Sequence, residues 1–236
     1  MRYIHTSEIH NTRSSDIILP ILFELIQPNS ILDVGCGIGT WLKSSSDLGI
    51  SDIIGIDGEY VNKEQLLIQE SQFLGKDLNH KFYLKRNFDL LLCLEVAEHL
   101  SEFVSDMFID SLVRHSDVIL FSAAIPGQGG QNHLNEQWPD YWAKKFSVHE
   151  FVFLDIIRPL IWDNQKVDYW YRQNIFLVVK HSHELVTKYP NSHLSFIHPE
   201  LYLAKNAHYQ RKIRSLKNQL DIHPLKRWIK NLISKK

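Results

Sequence analysis

Short apolar runs alternate with amphipathic segments along the first 180 residues of the chain. The runs at 31–34 and 88–94 are almost continuously apolar, as expected for strands that are buried on both faces of a sheet. Between such runs, apolar residues recur at helical spacing, for example from Ile17 to Ile26. Strands that alternate with helices predict an α/β fold with a doubly wound, mostly parallel sheet.

The pattern also sets approximate limits for these elements. The predicted strands are 31–34, 53–57, 72–78, 88–94, 117–122, 150–157 and 174–180. The predicted helices are 17–26, 41–48, 61–71 and 101–114. Ser14 or Ser15 is expected to cap the first helix, because a hydroxyl oxygen can accept a hydrogen bond from the free backbone amides of its first turn.

Length and composition are those of a globular protein. The chain has 236 residues, 44% of them hydrophobic, and lacks the roughly 20-residue apolar run that crosses a bilayer. The sequence starting with Met1 to His5 lacks the apolar region of a signal peptide, so export is not predicted. Cys36 and Cys93, the two cysteines, are read as reduced packing residues. These features predict a cytoplasmic protein.

Charge is spread unevenly although the net charge is only -1. The chain from Lys205 onward has ten Lys or Arg residues and one acid, Asp221, so the part before it is acidic. Apolar residues there recur every three or four positions over 209–220 and again over 225–233. A basic amphipathic tail suits an anionic membrane surface at the inner membrane face, and it suits self-association equally well.

Three glycines, Gly35, Gly37 and Gly39, follow the first apolar run. Glycine at a strand-to-helix turn lets the backbone approach a ligand closely. The turn lacks the Gly-Lys-Ser/Thr ending of a phosphate-binding P-loop, and it is not the dinucleotide pattern G-x-G-x-x-G. A second apolar run ends in Asp57, and an acid at that place holds ribose hydroxyls in doubly wound folds.

The segment 30–42 resembles motif I of class I S-adenosylmethionine (SAM) methyltransferases, an acid followed by G-x-G-x-G, and 88–100 resembles their motif IV. The resemblance implies a Rossmann-like sheet of seven strands, with the last strand antiparallel and inserted between the fifth and sixth. It implies SAM as cofactor, and Asp77 with Leu78 as an adenine-binding pair, although a surface loop would also account for Asp77. The cofactor-binding residues implied are Asp33, Gly35, Cys36, Gly37, Asp57, Gly58, Asp77, Leu78, Leu94 and Glu95.

The segment Glu95 to His99 reads E-x-x-E-H. It is similar to the magnesium-binding segment of ubiquinone-biosynthesis O-methyltransferases and small-RNA 2'-O-methyltransferases, in which a further histidine comes from downstream. By that likeness Glu95, Glu98, His99 and His133 would hold Mg²⁺; in metal-free relatives the same segment caps a helix. His133 is alternatively a general base, with Glu95 and His99 as further catalytic candidates, or an ordinary loop histidine.

The stretch 123–146 is rich in glycine, amides and aromatic rings and is long for a loop in a compact domain. Amides bond hydroxyl groups and aromatic rings stack on sugar faces. The predicted substrate-binding residues are Gln128, Asn132, Asn135, Trp138 and Tyr141. His10 and Asn11 are placed either over the cofactor mouth or in solvent.

These features and a likeness to methyltransferases of glycan gene clusters indicate an O-methyltransferase that acts on a sugar hydroxyl of a nucleotide sugar or surface polysaccharide. RNA 2'-O-methylation is the alternative, although an acidic body suits nucleic acid poorly. Two further alternatives are a small-molecule methyltransferase and a SAM-binding interaction module. The predicted domains are a methyltransferase domain, 1–182, and a basic helical extension, 183–236.

Overall fold

A single seven-stranded sheet organises the protein. The computed structural model describes residues 10–189 and 194–222. The strands are β1 (Ser30–Val34), β2 (Asp52–Asp57), β3 (Phe73–Gly75), β4 (Leu90–Leu94), β5 (Val118–Ser122), β6 (Phe151–Leu154) and β7 (Phe176–Lys180). Their order in the sheet is β3-β2-β1-β4-β5-β7-β6. The pairings up to β5 are parallel, and β7 is antiparallel to both of its neighbours. The predicted fold is confirmed, including the inserted antiparallel strand.

Each central strand contributes to two apolar cores, one on each face of the sheet. Every residue of β1, β4 and β5 is buried. Ile31 and Leu92 pack in one cluster, whereas Leu32 and Leu91 pack in the other. Successive side chains of a strand point to opposite faces, so a continuously apolar strand fills both cores. This explains why these runs show no alternation of polar and apolar residues.

The chain also forms eight α-helices within its described residues. They are α1 (Ser15–Leu25), α2 (Thr40–Asp47), α3 (Ser105–Val113), α4 (Pro139–Ser147), α5 (Arg158–Ile161), α6 (Tyr169–Asn174), α7 (Leu185–Lys188) and α8 (Pro199–Ile222). The predicted helix 61–71 is wrong, because only two 3₁₀ turns form there, Lys63–Gln65 and Glu70–Gln72. The backbone amide of Leu67 donates to the carbonyl of Ile38 instead of bonding within a helix.

The predicted cap of α1 is also wrong, since neither serine hydroxyl bonds to the first turn. Ser14 Oγ donates to Asp168 at 2.7 Å, and Ser15 Oγ donates to the carbonyl of Thr12 at 2.9 Å. The Ser14 hydroxyl bonds to Asp168, which is distant in sequence, and is therefore not available to cap the helix.

The chain divides into two compact units, one ending at Phe196 and one beginning at Ile197. The predicted domain boundary at 182/183 therefore falls inside the first unit. In the second unit the predicted amphipathic segment 209–220 lies within α8. The segment 225–233 is outside the described residues. Among the helices of the described ranges, none combines the length and the apolar character needed to cross a membrane.

Candidate active site

A cavity of about 940 Å³ opens at the carboxyl ends of β1, β2 and β4. Ligands of open α/β sheets bind at this edge, and the volume is at the upper end for ligand pockets. Its lining comprises His10, Asn11, Asp33, Gly35, Cys36, Gly37, Thr40, Trp41, Asp57, Gly58, Glu59, Tyr60, Lys76, Asp77, Leu78, Asn79, Leu94, Glu95, Val96, Glu98, His99, Leu100, Gln128, Gly129, Gly130, Gln131, Asn132, His133, Asp168, Tyr169, Trp170 and Tyr171. All ten residues predicted to bind the cofactor are among them.

The glycine turn forms the floor of the cavity. Gly35 has φ +83°, and a Cβ at this position would lie 2.2 Å from Cγ2 of Val96. The backbone amides of Gly35 and Cys36 both donate to the carbonyl of Ile56, at 2.7 and 3.1 Å. The turn therefore needs glycine both for its left-handed backbone and for its close approach to the chain after β4.

Asp57, the last residue of β2, is bonded to this turn. Its carboxylate accepts hydrogen bonds from the backbone amides of Gly37 (2.7 Å) and Gly58 (2.6 Å) and from the hydroxyl of Tyr60 (2.8 Å). A carboxylate has about four acceptor sites, so one remains for a ligand hydroxyl, and a second becomes free if Tyr60 turns away. This geometry fits the expected ribose contact.

Asp33 lies buried at the end of β1 and is 3% exposed. Burial, and secondly the nearby Asp57 carboxylate, raise the pKa of Asp33 well above its usual value. Its Oδ2 atom has no hydrogen-bond partner in the described part of the chain. A buried acid of this kind is stabilised by a ligand that brings a positive charge or a donor.

Asp77 and Leu78 follow β3 and also line the cavity. The carboxylate of Asp77 accepts from the backbone amide and the side-chain amide of Asn79, each at 2.9 Å, and these bonds lower the pKa of Asp77. Leu78 is 8% exposed and belongs to an apolar core. The pair thus offers an anionic acceptor beside an apolar surface.

Glu95 begins the segment after β4 with a left-handed backbone, φ +54°, which is uncommon outside glycine. Its carboxylate accepts from the side-chain amides of Gln128 (2.8 Å) and Asn174 (3.0 Å). Burial raises the pKa of Glu95, and the bonds from Asn174, Gln128 and Ser122 oppose that change. Glu95 therefore joins three distant segments of the chain at the rim of the cavity.

Glu98, His99 and His133 form a separate group whose ligand atoms lie within 4.8 Å of one another. Glu98 is fully buried, and burial and then the Glu95 carboxylate raise its pKa well above the usual value. The backbone amides of Glu98 and Ala124 oppose this rise, yet neither carboxylate oxygen makes a hydrogen bond of good geometry within the described ranges. Of the four predicted metal ligands, Glu95 stands outside this group.

His99 is a neutral imidazole over the physiological pH range. Burial, and secondly the neighbouring His133, lower the pKa of His99 to about 4, although hydrogen bonds with the backbone of Asn132 and Gln131 oppose the change. The rings of His99 and His133 meet edge to face, with centroids 4.8 Å apart. A neutral ring can accept a proton or bind a cation.

Only some of the predicted substrate-binding residues lie at the cavity. Gln128 and Asn132 line the cavity, whereas Asn135, Trp138 and Tyr141 do not. Asn135 is buried and donates to the hydroxyl of Ser105 at 3.1 Å, and the ring of Tyr141 packs edge to face on Trp142. Trp138 precedes the first residue of α4 and has a half-exposed side chain. Their types suited a sugar, but the chain turns away from the cavity after His133.

Sequence reasoning missed the wall formed by Asp168, Tyr169, Trp170 and Tyr171. The indole of Trp41 donates to the hydroxyl of Tyr171 at 3.4 Å, and their rings meet edge to face. The concentration of aromatic residues there was the only signal, and it did not say where in the fold they would lie. His10 and Asn11, for which two placements stood open, do line the cavity.

Comparisons with known proteins agree with this architecture. Residues 7–167 match a family model described as a methyltransferase domain. No curated protein sequence matches the chain significantly.

Several solved structures share the fold at low sequence identity. The sugar N-methyltransferase KedS8 from Streptoalloteichus sp ATCC 53650 is 13% identical, with a TM-score of 0.56 over 72% of this chain and 87% of that one. A SAM-dependent methyltransferase from Clostridium acetobutylicum ATCC 824 is 13% identical, with a TM-score of 0.52 over 74% and 93%. The magnesium protoporphyrin IX methyltransferase of Synechocystis PCC 6803, solved with bound SAM, is 18% identical, with a TM-score of 0.51 over 72% and 79%. By its family model and its sheet, the chain belongs to the methyltransferase domain family and is a SAM-dependent methyltransferase.

Proposed function

We propose that this enzyme transfers the methyl group of SAM to a hydroxyl group of a sugar. The observation that carries the proposal is one cavity whose lining includes the glycine turn and Asp57 together with two histidines and a buried glutamate. The first set suits the cofactor. The second suits the proton chemistry that a hydroxyl acceptor requires.

The cofactor would lie along the edge of β1, β2 and β4. Asp57 would accept the ribose hydroxyls, Asp77 and Leu78 would contact the adenine, and Asp33 would face the ammonium group of the methionine part. The remaining predicted residues would surround the same molecule: Gly35, Cys36, Gly37, Gly58, Leu94 and Glu95. A glycine floor is needed because a Cβ would fill part of the space the cofactor takes.

A hydroxyl is a poor nucleophile until its proton is removed. As the acceptor oxygen attacks the methyl carbon, the carbon-sulfur bond breaks, S-adenosylhomocysteine leaves, and the hydroxyl proton passes to a base. His133 is the proposed base. His99, which is held neutral by burial, lies beside it and would help to orient the hydroxyl.

The charge of the cavity favours an uncharged acceptor. Seven carboxylates lie along it, and Lys76 is the only Lys or Arg among the described residues of its lining. An RNA acceptor needs basic side chains against its phosphates, and a nucleotide sugar would need at least some of them. A neutral sugar of a surface polysaccharide has no phosphate and therefore needs no basic side chains in the cavity. RNA remains the second candidate because the histidine and glutamate group resembles that of RNA 2'-O-methyltransferases.

The same group fits a divalent cation. The oxygens of buried Glu98, which make no hydrogen bond of good geometry within the described ranges, form a donor set of one carboxylate and two nitrogen ligands together with the two imidazoles. Imidazole ligands suit Fe²⁺ or Zn²⁺, and the carboxylate suits Mn²⁺, whereas the hard Mg²⁺ ion that the resemblance implied prefers oxygen ligands alone. A bound cation would lower the pKa of the acceptor hydroxyl. Glu98, His99 and His133 would hold it, and His133 would then act as a ligand in place of its role as the base.

The Asp57→Ala substitution tests the cofactor site. We expect SAM and S-adenosylhomocysteine to bind about 10- to 100-fold more weakly by calorimetry, because hydrogen bonds to a charged group contribute about 1.5–3 kcal/mol. Asp163→Ala, which removes an exposed acid outside the cavity, is the matched control and should keep wild-type affinity. Wild-type affinity in the Asp57 variant would exclude the ribose role.

Formation of S-adenosylhomocysteine with three acceptor classes tests the reaction. We expect turnover with neutral methyl glycosides or oligosaccharides, less with nucleotide sugars, and none with an RNA oligonucleotide. His133→Ala should reduce turnover by 100-fold or more while sparing cofactor affinity, in line with the usual contribution of general base catalysis of about 10²–10⁴. Turnover with RNA alone would replace the sugar proposal.

A further inference from the structure

Glu136 lies three residues after His133 and bonds to the loop that carries it. Its Oε1 atom lies 2.8 Å from Nδ1 of His133. Its two carboxylate oxygens also accept the backbone amides of Gly129 and Gly127, the latter at 2.7 Å. The carboxylate of Glu136 is 19% exposed and the ring of His133 is 11% exposed. One side chain thus fixes both the loop backbone and the histidine ring.

The other end of the loop is bonded to Glu98. The backbone amides of Leu134 and Asn135 both donate to the carbonyl of Glu98, at 2.8 and 3.0 Å. His133 therefore lies between two attachments, the main chain of Glu98 on one side and the carboxylate of Glu136 on the other. This arrangement sets the distance between the His133 ring and the Glu98 side chain.

The contact with Glu136 also decides the state of the His133 ring. An ionised carboxylate only accepts hydrogen bonds, so Nδ1 must carry the hydrogen. In a neutral ring the nitrogen left without a hydrogen is then Nε2, which lies against Gly130, where an added Cβ would come within 2.2 Å of it. The ring is consequently held both in tautomer and in position.

We propose that Glu136 is a positioning residue that presents Nε2 of His133 to a divalent cation shared with Glu98 and His99. Histidines that bind metals commonly donate their other ring N-H to a carboxylate, which fixes the tautomer and strengthens the ligand. The inference rests on the proposed function, because the cation and the acceptor hydroxyl would share the same end of the cavity. It adds a residue that neither the motif nor the resemblance pointed to.

Mn²⁺ binding by the full chain, measured by calorimetry, tests the proposal. We expect Glu136→Ala to weaken Mn²⁺ affinity about 10- to 100-fold, as losses of such outer partners do. Glu136→Gln should fall in between, because its amide has one acceptor oxygen for the three donors. Gly130→Ala, which displaces the ring without changing charge, should also weaken Mn²⁺. Glu102→Ala removes an exposed acid outside the cavity and should change nothing.

Two further measurements separate positioning from folding. S-adenosylhomocysteine affinity should stay at the wild-type value in the Glu136 variants, and nitrogen-15 histidine spectra should show His133 protonated at Nδ1 in the wild type and losing that preference in Glu136→Ala. Unchanged Mn²⁺ affinity in Glu136→Ala would overturn the proposal. A wild-type enzyme that binds SAM but not Mn²⁺ would also overturn the proposal, and His133 would then act as a base without a metal. A wild-type enzyme that binds neither Mn²⁺ nor SAM would refute the proposed function itself.

Discussion

At two positions, an acidic side chain is buried without enough hydrogen-bond donors around it to stabilise its charge. Asp33 and Glu98 are both buried, each has at least one carboxylate oxygen without a partner in the described part of the chain, and burial raises the pKa of each. Buried polar atoms are normally paired. Exceptions that face one cavity indicate places where a ligand supplies the missing partner, at some expense in the stability of the ligand-free enzyme.

Asp33→Asn should therefore stabilise the ligand-free enzyme in a pH-dependent manner. The folded state holds the Asp33 proton more tightly than the unfolded state, so stability from this group is greatest below the usual pKa of 3.8 and is lost as pH rises towards the raised value. We expect the variant to gain on the wild type by about 1.4 kcal/mol for each pH unit in that window. Urea unfolding at several pH values measures the gain.

The control for that experiment is Asp163→Asn, which changes an exposed acid outside the cavity. The Asp33 variant should also bind SAM more weakly, since the carboxylate would no longer meet the ammonium group. A stability difference that does not change with pH would contradict the raised pKa of the buried Asp33.

Among the structural elements, the turn between β1 and α2 should tolerate substitution least. Its backbone amides are bonded to the end of β2 and its Gly35 touches the chain after β4. Three strand ends thus meet at one turn. A substitution there is expected to disturb the fold and the cofactor site together.

Gly35→Ala should lower the free energy of unfolding by about 2–5 kcal/mol. The left-handed backbone contributes about 1–2 kcal/mol of this and the clash with Val96 about 1–3 kcal/mol. Gly49→Ala separates the two effects, because Gly49 also has a positive φ but open space around it, and should lose only the first amount. Urea unfolding gives both values, and equal losses would show that Val96 does not crowd the turn.

At the scale of the whole molecule, charge divides the chain into an acidic catalytic unit and a basic helix. In α8, the apolar residues Tyr209, Ile213 and Leu216 are at least 44% exposed. Arg211, Lys212, Arg214 and Lys217 occupy exposed positions of the same stretch. Such a helix suits an anionic membrane surface, where each basic residue contributes about 1 kcal/mol.

We expect the full chain to sediment with phosphatidylserine vesicles and not with neutral phosphatidylcholine vesicles. Replacing Arg211, Lys212, Arg214 and Lys217, four of the five Lys or Arg residues of α8, by glutamate should abolish this binding, and added salt should weaken it in the wild type. SAM affinity should stay unchanged, since the described residues that line the cavity all lie before residue 172. Binding to neutral vesicles, or self-association that the same variant removes, would indicate a different role for the helix.

Local sequence patterns were enough to predict the sheet, the glycine turn and the acids at the strand ends. These features depend on local patterns: continuously apolar strands such as β4, glycines between β1 and α2, and Asp57 directly after an apolar run. Carboxyl ends of parallel strands meet at one edge, so topology alone brings such residues to one cavity. That is why all ten predicted cofactor residues could be placed together.

The pairing of side chains could not be predicted in this way, because it depends on how the whole chain packs. Glu95 bonds to Gln128 and Asn174 instead of joining the histidines, Glu136 fixes His133, and the segment after Asp168 closes one wall. The helix predicted over 61–71 is replaced because a backbone amide there bonds to a distant carbonyl. Local periodicity reports burial, whereas hydrogen-bond partners come from residues up to 155 positions apart and are settled only when the whole chain has packed.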